Sequence, residues 1–279
     1  MSYPRARWRL LFDARPRPGP LNMAIDEAVL RTVASREAPP TLRLYGWAPP
    51  ALTLGRGQPY ADVDVEAVAR DGITLMRRMT GGTAVLNRDE LTYAVMATDD
   101  DPRFSGQSIA ESYRGISGAL IRGLDGLGLG YAAAQGRDPA SSDRRPRRRA
   151  ERTPVCFEIP SDYEVTVEGR KLVGSSQMRI REGVLQHGSL PLRGDIAAIS
   201  RYLTTRPDPD RIRSLALTLY DALGREVSWD EAAAALLEGF RVALNLELLP
   251  GPLTVAERRL VETLVSEKYG NEAWTERVL

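Results

Sequence analysis

The most constraining feature of this chain is a segment in which apolar and polar side chains alternate, residues 163–168. A period of two is typical of a strand with one buried face, and the Glu-Gly pair at its end suits a two-residue hairpin turn. In that hairpin Lys171 lies across from Thr166 on the polar face, and Leu172 pairs with Val165 on the apolar face. The segment therefore predicts an antiparallel sheet that carries a lysine on its polar face.

Further strand patterns surround this hairpin, whereas helical patterns dominate both ends of the chain. A second hairpin is predicted over residues 177–192, turning at Glu182-Gly183. Asn22 is expected to cap the first helix, with Asp26 and Glu27 near its positive end. Other strands are expected at residues 42–47 and 51–54, and an apolar run at residues 73–76 leads into the arginines. Other helices are expected at residues 64–71, 108–127, 210–223 and after the capping-box patterns 228–231 and 254–257. We predict an α+β fold of mixed, largely antiparallel sheets packed with helices.

Composition limits the class of protein. A chain of 279 residues, 43% hydrophobic and 27% charged, can bury a substantial core without a metal or a disulfide. Its single cysteine excludes an internal disulfide, and no secretory leader or apolar run of about 20 residues is found, so we expect a cytoplasmic protein that does not enter a membrane. A net charge of +1 gives no general attraction to nucleic acid, and no Cys/His spacing indicates zinc.

A second informative segment places two arginines before paired glycines, Arg77-Arg78-Met79-Thr80-Gly81-Gly82. Paired glycines let backbone N–H groups approach a ligand oxygen, and the arginines supply fixed positive charge. The segment lacks the Gly-Lys-Ser/Thr of a P-loop and leads into a β-rich run, which argues against a P-loop or Rossmann nucleotide site. The alternative is an ordinary hairpin with two surface arginines.

The only cysteine, Cys156, lies just upstream of the lysine hairpin. A thiol near an ammonium suits covalent acyl transfer, because the ammonium favours the thiolate. The alternative is a buried structural cysteine. Residues 136–152, here called the arginine-rich loop, carry six arginines within nine positions. This loop either steers an acidic protein partner towards the cysteine or is a solvated insertion.

Together these segments resemble the catalytic domain shared by biotin ligases, lipoate–protein ligases and lipoyl/octanoyl transferases. The resemblance covers nearly the whole chain. Its other stretches are Leu21-Asn22-Met23-Ala24-Ile25-Asp26-Glu27-Ala28, Trp47-Ala48-Pro49-Pro50, Leu54-Gly55-Arg56-Gly57-Gln58, Gly169-Arg170-Lys171, Gly174-Ser175-Ser176-Gln177 and Trp274-Thr275. Cys156-Phe157-Glu158-Ile159-Pro160-Ser161 looks like the branch of octanoyltransferases that use a cysteine nucleophile, whereas lipoate ligases usually carry no thiol there.

The resemblance implies an octanoyltransferase of protein lipoylation. Cys156 would take octanoyl from octanoyl-acyl carrier protein, and a lysine of a lipoyl-domain protein (glycine cleavage H protein or 2-oxoacid dehydrogenase E2) would then receive it. Lys171 would be the second catalytic residue, and neither a cofactor nor a metal would be required. Residues 1–250 would form the catalytic domain and residues 251–279 a helical extension packed on it. The implied substrate-binding residues are Arg77, Arg78, Thr80, Gly81, Gly82, Thr83, Asn87, Gly174, Ser175, Ser176, Gln177 and His187.

Three alternatives stay open. An ATP-dependent lipoate–protein ligase would use ATP and Mg²⁺, with Lys171 at an acyl-adenylate and Cys156 incidental. A thioesterase or amidase would pair Cys156 with His187, the only histidine. The third is a lipoyl-domain-binding protein without catalysis. Thr83 stands where many relatives have a third glycine, which argues mildly against an adenylate site, and Asn87 replaces a histidine and cannot titrate near neutrality.

Overall fold

The computed structural model describes residues 3–130, 133–134 and 164–277, which contain two sheets. The strands are β1 (Ala6–Arg17), β2 (Thr41–Trp47), β3 (Ala51–Leu54), β4 (Thr74–Arg77), β5 (Val85–Asn87), β6 (Glu90–Thr98), β7 (Ala133–Ala134), β8 (Val165–Val167), β9 (Arg170–Ile180), β10 (Gly183–Pro191) and β11 (Leu246–Pro250). The main sheet has the order β11-β1-β2-β6-β10-β9-β8-β7, and only the two pairs that involve β1 are parallel. The small sheet has the order β4-β3-β5. Mixed, largely antiparallel sheets are thus confirmed.

Helices cover both faces of the main sheet. They are α1 (Gly19–Ala34), α2 (Val65–Arg70), α3 (Ile109–Asp125), α4 (Pro209–Leu215), α5 (Leu219–Leu223), α6 (Trp229–Ala243), α7 (Val255–Leu264) and α8 (Glu272–Glu276). Leu44, Tyr93 and Leu190 belong to the core with α3 and α6, and we call their side of the sheet the α3/α6 face. Tyr45 and Ala94 pack on the other side with α1 and α7, here called the α1 face. No helix in these ranges combines the length and apolar composition that a membrane span needs.

The C-terminal helices are tied to the rest of the fold by buried polar contacts. The capping box at the start of α7 is present as predicted, with Thr254 and Glu257 bonded reciprocally. Glu257 also accepts hydrogen bonds from Arg9 of β1 (2.6 and 2.7 Å) and from Thr32 of α1 (2.9 Å). Because removing one partner would leave a buried charge uncompensated, this cluster fixes α7 against α1 and β1.

Three element predictions are corrected by the structure. The first helix begins at Gly19, where Pro20 presets the backbone, and Asn22 is not its cap but lies buried inside it, donating to the Gly46 carbonyl (3.0 Å). The predicted helix 210–223 is broken into α4 and α5, because the residues between them turn aside to bond the main sheet. The second hairpin turns one residue earlier than predicted, since Gly183 already pairs with Ile180.

A β-bulge changes the register of the first hairpin. Thr166 pairs with Lys171 as predicted, but Val165 pairs with Val173 and not with Leu172, so the bulged strand β9 carries one extra residue. Leu172 and Val173 are both buried in the α3/α6 core. The extra residue therefore turns Lys171 to the opposite, α1 face. A regular strand would have placed Lys171 on the same face as Val173.

Candidate active site

A cavity of about 40 Å³ lies on the α1 face, where the small sheet approaches the main sheet. Its apolar wall includes Met23 of α1, Tyr45 and Trp47 of β2 and Val85 of β5. Burying one methylene group there contributes about 0.8 kcal/mol. Six residues named from the sequence also line the cavity: Arg78, Asn87, Gly174, Ser175, Ser176 and His187. Both glycine-containing segments, which are far apart in sequence, thus contribute to one cavity, although Thr80, Gly81, Gly82 and Thr83 do not line it.

Residues 80–83, here called the glycine loop, are held through their carbonyl groups. The Arg78 guanidinium donates to the carbonyl oxygens of Gly81 (2.7 Å) and Thr83 (2.9 Å), and the Ser176 hydroxyl donates to the Gly81 carbonyl (3.0 Å). Among the described residues, none accepts a hydrogen bond from the N–H groups of the two glycines. The loop thus has two backbone N–H groups without an acceptor among the described residues, next to carbonyl groups that already accept hydrogen bonds.

Two close approaches require glycine around this loop. A Cβ on Gly55 would lie 1.8 Å from the carbonyl oxygen of Gly82, and Gly82 itself has φ 87°, a conformation that favours glycine. On the main sheet, a Cβ on Gly188 would lie 2.7 Å from the carbonyl oxygen of Gly174. The backbone segments around the cavity are therefore packed closer than side chains allow.

Asn87 and Thr83, the two departures from the family motif, differ in their contacts: Asn87 lines the cavity and its amide is hydrogen-bonded, whereas Thr83 does not line it. The Asn87 amide donates to Thr53 Oγ1 (3.1 Å) and to the Ala51 carbonyl (3.2 Å), which joins strands of the small sheet. The Thr83 hydroxyl is buried without a hydrogen-bond partner among the described residues. The Asn87 side chain is thus structural in this arrangement.

His187 lies between the glycine loop and α1. Its Nε2 is 2.8 Å from Thr80 Oγ1, and its Nδ1 is 3.2 Å from Asp26 Oδ2. Asp26 also accepts hydrogen bonds from the Arg43 guanidinium (2.7 Å) and the Tyr45 hydroxyl (2.8 Å). Burial alone raises the pKa of Asp26, but hydrogen bonds and charges from His187 and Arg43 outweigh it and hold that pKa below its ordinary value. Asp26 is therefore a carboxylate, which only accepts hydrogen bonds.

Lys171 lies on the α1 face, the face that carries His187 and Ser176. It is 3% exposed, and its ammonium forms an ion pair with Glu164, which is 6% exposed. Lys171 is thus a buried residue and not a solvent-facing one. It lies on the face of the sheet that carries the cavity but does not line the cavity, and Glu164 balances its charge.

Arg77, which is predicted to bind substrate, does not line the cavity. Its guanidinium donates to the Thr275 carbonyl (2.8 and 3.0 Å) and to the carbonyls of Gly55 (2.8 Å) and Gln58 (2.6 Å). The Trp274 indole in turn donates to the Arg77 carbonyl (2.9 Å). Arg77 therefore ties β4 to the C-terminal segment, and Arg78 alone of the two arginines lines the cavity.

Gln177 also faces away from the cavity. Its side chain contacts Ser112 of α3 (3.1 Å) and Gln186 (3.0 Å), both on the α3/α6 side. The Ser175 hydroxyl points the same way, to the Tyr93 hydroxyl (2.8 Å), so Ser175 lines the cavity through its backbone. Because β9 is regular after its bulge, only alternate residues reach the α1 face. The Gln177 side chain therefore does not reach the cavity, and its substrate contact stays a prediction.

Glu90, which sequence analysis did not single out, is a buried carboxyl at the edge of the site. It accepts hydrogen bonds from Ser189 (2.5 Å) and Thr92 (2.6 Å), both of which line the cavity. Burial raises its pKa from the ordinary 4.5 to about 7, since these hydroxyl bonds only partly offset the loss of water. The sequence signal that could have indicated Glu90 is an acidic residue at the start of an apolar strand.

We expect Glu90→Gln to change how stability depends on pH. The folded state keeps the Glu90 proton up to about pH 7, whereas the unfolded chain loses it near 4.5, so wild-type stability falls as pH rises between these values. The variant has no such proton and should gain about 3 kcal/mol relative to wild type between pH 4 and pH 8. Denaturant unfolding at both pH values measures this. Glu226→Gln, at a carboxylate 76% exposed, is the control. Parallel pH dependence of wild type and Glu90→Gln would contradict the raised pKa.

Cys156 and the arginine-rich loop lie outside the described residues. Their predicted roles therefore remain predictions. Within residues 3–130 and 164–277, no group of three or more His, Cys, Asp and Glu side chains is arranged to hold a metal ion.

The chain matches the lipoyl protein ligase A/B catalytic domain over residues 18–241. It belongs to this family, as the sequence motifs predicted. Octanoyltransferase LipM of Symbiobacterium thermophilum is 43% identical over 280 residues, a match covering 97% of this chain and 98% of the relative. LipM of Geobacillus kaustophilus is 38% identical, with 96% and 97% covered. The chain is accordingly an enzyme, an acyltransferase.

Solved structures share the fold. Lipoate-protein ligase A bound with ATP has a TM-score of 0.79 and 25% identity, covering 98% of this chain and 100% of the other. A bi-partite lipoate protein ligase from Thermoplasma acidophilum, described with its E2 lipoyl domain, has a TM-score of 0.77 and 24% identity, covering 98% and 97%. The predicted α+β fold of the lipoate ligase type is therefore confirmed.

Proposed function

We propose that this enzyme is an octanoyltransferase of protein lipoylation that moves octanoyl from acyl carrier protein, through a thioester on Cys156, to a lysine of a lipoyl-domain protein. The observation that carries the proposal is the bulge that turns Lys171 to the cavity face, in a chain similar over its length to octanoyltransferases. The acceptor class is supported by the T. acidophilum ligase that is described with an E2 lipoyl domain. Glycine cleavage H protein and dehydrogenase E2 are the acceptors we propose.

The first half-reaction exchanges one thioester for another. The Cys156 thiolate attacks the octanoyl carbonyl carbon, the bond to the carrier's sulfur breaks, and the carrier leaves as a thiol after taking a proton. A free thiol has a pKa of roughly 8.5, so a nearby ammonium increases the thiolate fraction at neutral pH. The charge of Lys171 is proposed to do this and to stabilise negative charge on the carbonyl oxygen.

The second half-reaction forms an amide. The neutral amine of the acceptor lysine attacks the Cys156 thioester, the carbon–sulfur bond breaks, and the amine's proton returns the thiol. A thioester is already activated towards an amine, so no nucleotide and no other cofactor is needed. The N–H groups of Gly81 and Gly82 are proposed donors to the developing oxyanion in both steps, because nothing else among the described residues engages them. The octanoyl chain is proposed to pack against the apolar wall of the cavity.

The test is transfer without ATP. Purified enzyme, octanoyl-acyl carrier protein and an apo lipoyl domain should give the octanoylated lipoyl domain by intact mass, with the same yield when ATP and Mg²⁺ are added. An ATP-dependent lipoate–protein ligase is the second candidate, because the structure of lipoate-protein ligase A bound with ATP shares this fold. Product formed only from free lipoate, ATP and Mg²⁺ would establish the ligase. Hydrolysis of the octanoyl thioester without transfer would identify a thioesterase.

We also propose that residues 1–250 form the catalytic domain and residues 251–279 an extension packed on it. The contacts of Glu257 with Arg9 and Thr32 support this, as do those of Thr275 and Trp274 with Arg77. The extension therefore contributes to the positioning of β4 and its neighbour Arg78.

We expect the arginine-rich loop to affect encounter and not chemistry. Changing Arg144, Arg145, Arg147, Arg148 and Arg149 to serine should lower the second-order acylation rate and flatten its salt dependence, at an unchanged maximal rate. Electrostatic steering weakens as the Debye length falls from about 10 Å at 0.1 M salt to 3 Å at 1 M. Stopped-flow acylation across a salt series measures this, and Arg258→Ser with Arg259→Ser, on the exposed side of α7, is the control. Superimposable salt curves would make the loop a solvated insertion.

A further inference from the structure

One chain of buried contacts runs from α1 to the glycine loop. It links Asp26 to His187 Nδ1 (3.2 Å) and His187 Nε2 to the Thr80 hydroxyl (2.8 Å). All three side chains are at least nine-tenths buried, with exposures of 1%, 6% and 0%. A hydroxyl, an imidazole and a carboxylate in this order restrict one another's orientation, because the ring nitrogens bond a partner on each side.

The carboxylate determines which ring nitrogen carries the proton. Asp26 is an acceptor only, so the Nδ1 that faces it must be a donor. In the neutral ring Nε2 is then an acceptor, and it receives the hydrogen of the Thr80 hydroxyl. The Asp26 side chain is itself held by Arg43, through its other oxygen, and by the Tyr45 hydroxyl. Arg43 is further paired with Asp13 (2.9 Å), so the carboxylate that orients the imidazole ring is itself held in place.

Thr80 is the first residue of the glycine loop, and the other bonds of this loop end on carbonyl oxygens. Its own carbonyl accepts from the Arg56 N–H (2.8 Å), and the next carbonyl, of Gly81, accepts from Arg78 and Ser176. The hydroxyl bond to His187 is therefore the side-chain contact that ties the start of the loop to the main sheet. Losing it would remove one of the contacts that hold the backbone just before the two glycine N–H groups.

We propose that Asp26 and His187 are positioning residues that hold Thr80, and through it the N–H groups of Gly81 and Gly82, in the orientation used to stabilise the acyl oxyanion. This inference rests on the proposed acyl transfer. It also assigns the Nε2 lone pair of His187 to the Thr80 hydroxyl, so His187 is not the base that would pair with Cys156 in a thioesterase.

The lone histidine makes the tautomer directly measurable. In protein labelled with ¹⁵N-histidine, a single pair of ring nitrogen signals should show Nδ1 protonated and Nε2 unprotonated at pH 7.5. Thr80→Val should shift the Nε2 signal as its hydrogen bond is lost, and Asp26→Asn should reduce the population with Nδ1 protonated. A wild-type ring protonated at Nε2, or at both nitrogens, overturns the proposal. Should Asp26→Asn not fold, the wild-type and Thr80→Val spectra still decide it.

Kinetics test the consequence for the loop. Thr80→Val should lower the rate of acyl-enzyme formation by roughly ten- to a hundredfold at saturating carrier, with little change in KM, because a small displacement of reacting groups is enough for such a loss. Thr80→Ser, which keeps the hydroxyl, should restore most of the rate. Thr32→Val removes a buried hydroxyl bonded to Glu257, away from the site, and is the matched control.

Failure of the positioning role can be distinguished from failure of the proposed octanoyl transfer. If wild-type enzyme transfers no octanoyl, the proposed function fails, but the ring spectrum still reports whether the Asp26–His187–Thr80 contacts exist. If wild type is active and Thr80→Val transfers at the wild-type rate, the positioning role is wrong. Equal losses in Thr80→Val and Thr80→Ser would likewise contradict it, since the hydroxyl would then not be the group that matters.

Discussion

Replacing Cys156 with serine should abolish octanoyl transfer, lowering the rate by roughly 10³-fold or more, because a hydroxyl supplies no thiolate at neutral pH and is a far weaker nucleophile. Wild-type enzyme incubated with octanoyl-acyl carrier protein, without ATP, should gain the mass of one octanoyl group at Cys156. Hydroxylamine should remove that mass. The serine variant should show no such thioester under the same conditions.

The chain's single cysteine makes this experiment unambiguous, since no other thiol can carry the acyl group. Unfolding of the variant by denaturant serves as the control for a packing role. If the serine variant folds and transfers normally, Cys156 is not the nucleophile, and the alternative of a structural cysteine is favoured. Activity restored by ATP and free lipoate in both proteins would instead assign the enzyme to the ligases.

Lys171→Met should reduce transfer by on the order of 10²-fold or more, comparable to the loss of one oxyanion donor. The methionine keeps the length of the buried chain and removes its charge. Lys268→Met is a matched control, because Lys268 also pairs with a buried glutamate, Glu27, but on the outer side of α1 (2.6 Å). The rate of acyl-enzyme formation by stopped-flow and the free energy of unfolding should both be measured.

Because Lys171 forms an ion pair with Glu164, Lys171→Met can lower activity by destabilising the fold. A second substitution separates this effect from a role in the reaction. Lys171→Met leaves a buried carboxylate without its lysine partner, which can destabilise the fold by several kcal/mol. The double variant Lys171→Met with Glu164→Gln removes that charge. If the double variant regains stability but not activity, Lys171 acts through its charge in the reaction. If it regains both, the lysine serves only to neutralise Glu164.

Sequence periodicity located most strands and helices, because apolar alternation and capping residues are local signals. It failed where a tertiary contact decided the local structure. The helix predicted over residues 210–223 is interrupted because Ala216 bridges to Lys171 of the main sheet. Asn22 has the side chain of a cap, yet it is buried against the Gly46 carbonyl.

The sequence also located the segments of the candidate site but not the orientation of their side chains. Motif spacing identified the glycine loop and the lysine hairpin, but it cannot tell which of two adjacent side chains enters a cavity. Arg78 does and Arg77 does not. Asp26 was expected to complement the positive end of a helix, whereas it meets His187, more than 160 residues away. The raised pKa of Glu90 follows from its burial, which the sequence alone does not give.

The bulge in β9 also bears on how members of this family are compared. In a regular strand, a lysine three residues before Gly174 would lie on the opposite face from that glycine, so the motif Gly169-Arg170-Lys171 places its lysine on the α1 face only together with the extra residue Leu172. A relative that lacks this extra residue has its lysine two residues before the glycine, and a regular strand then places both on the same face. The spacing between lysine and glycine must therefore be compared together with the presence or absence of the bulge.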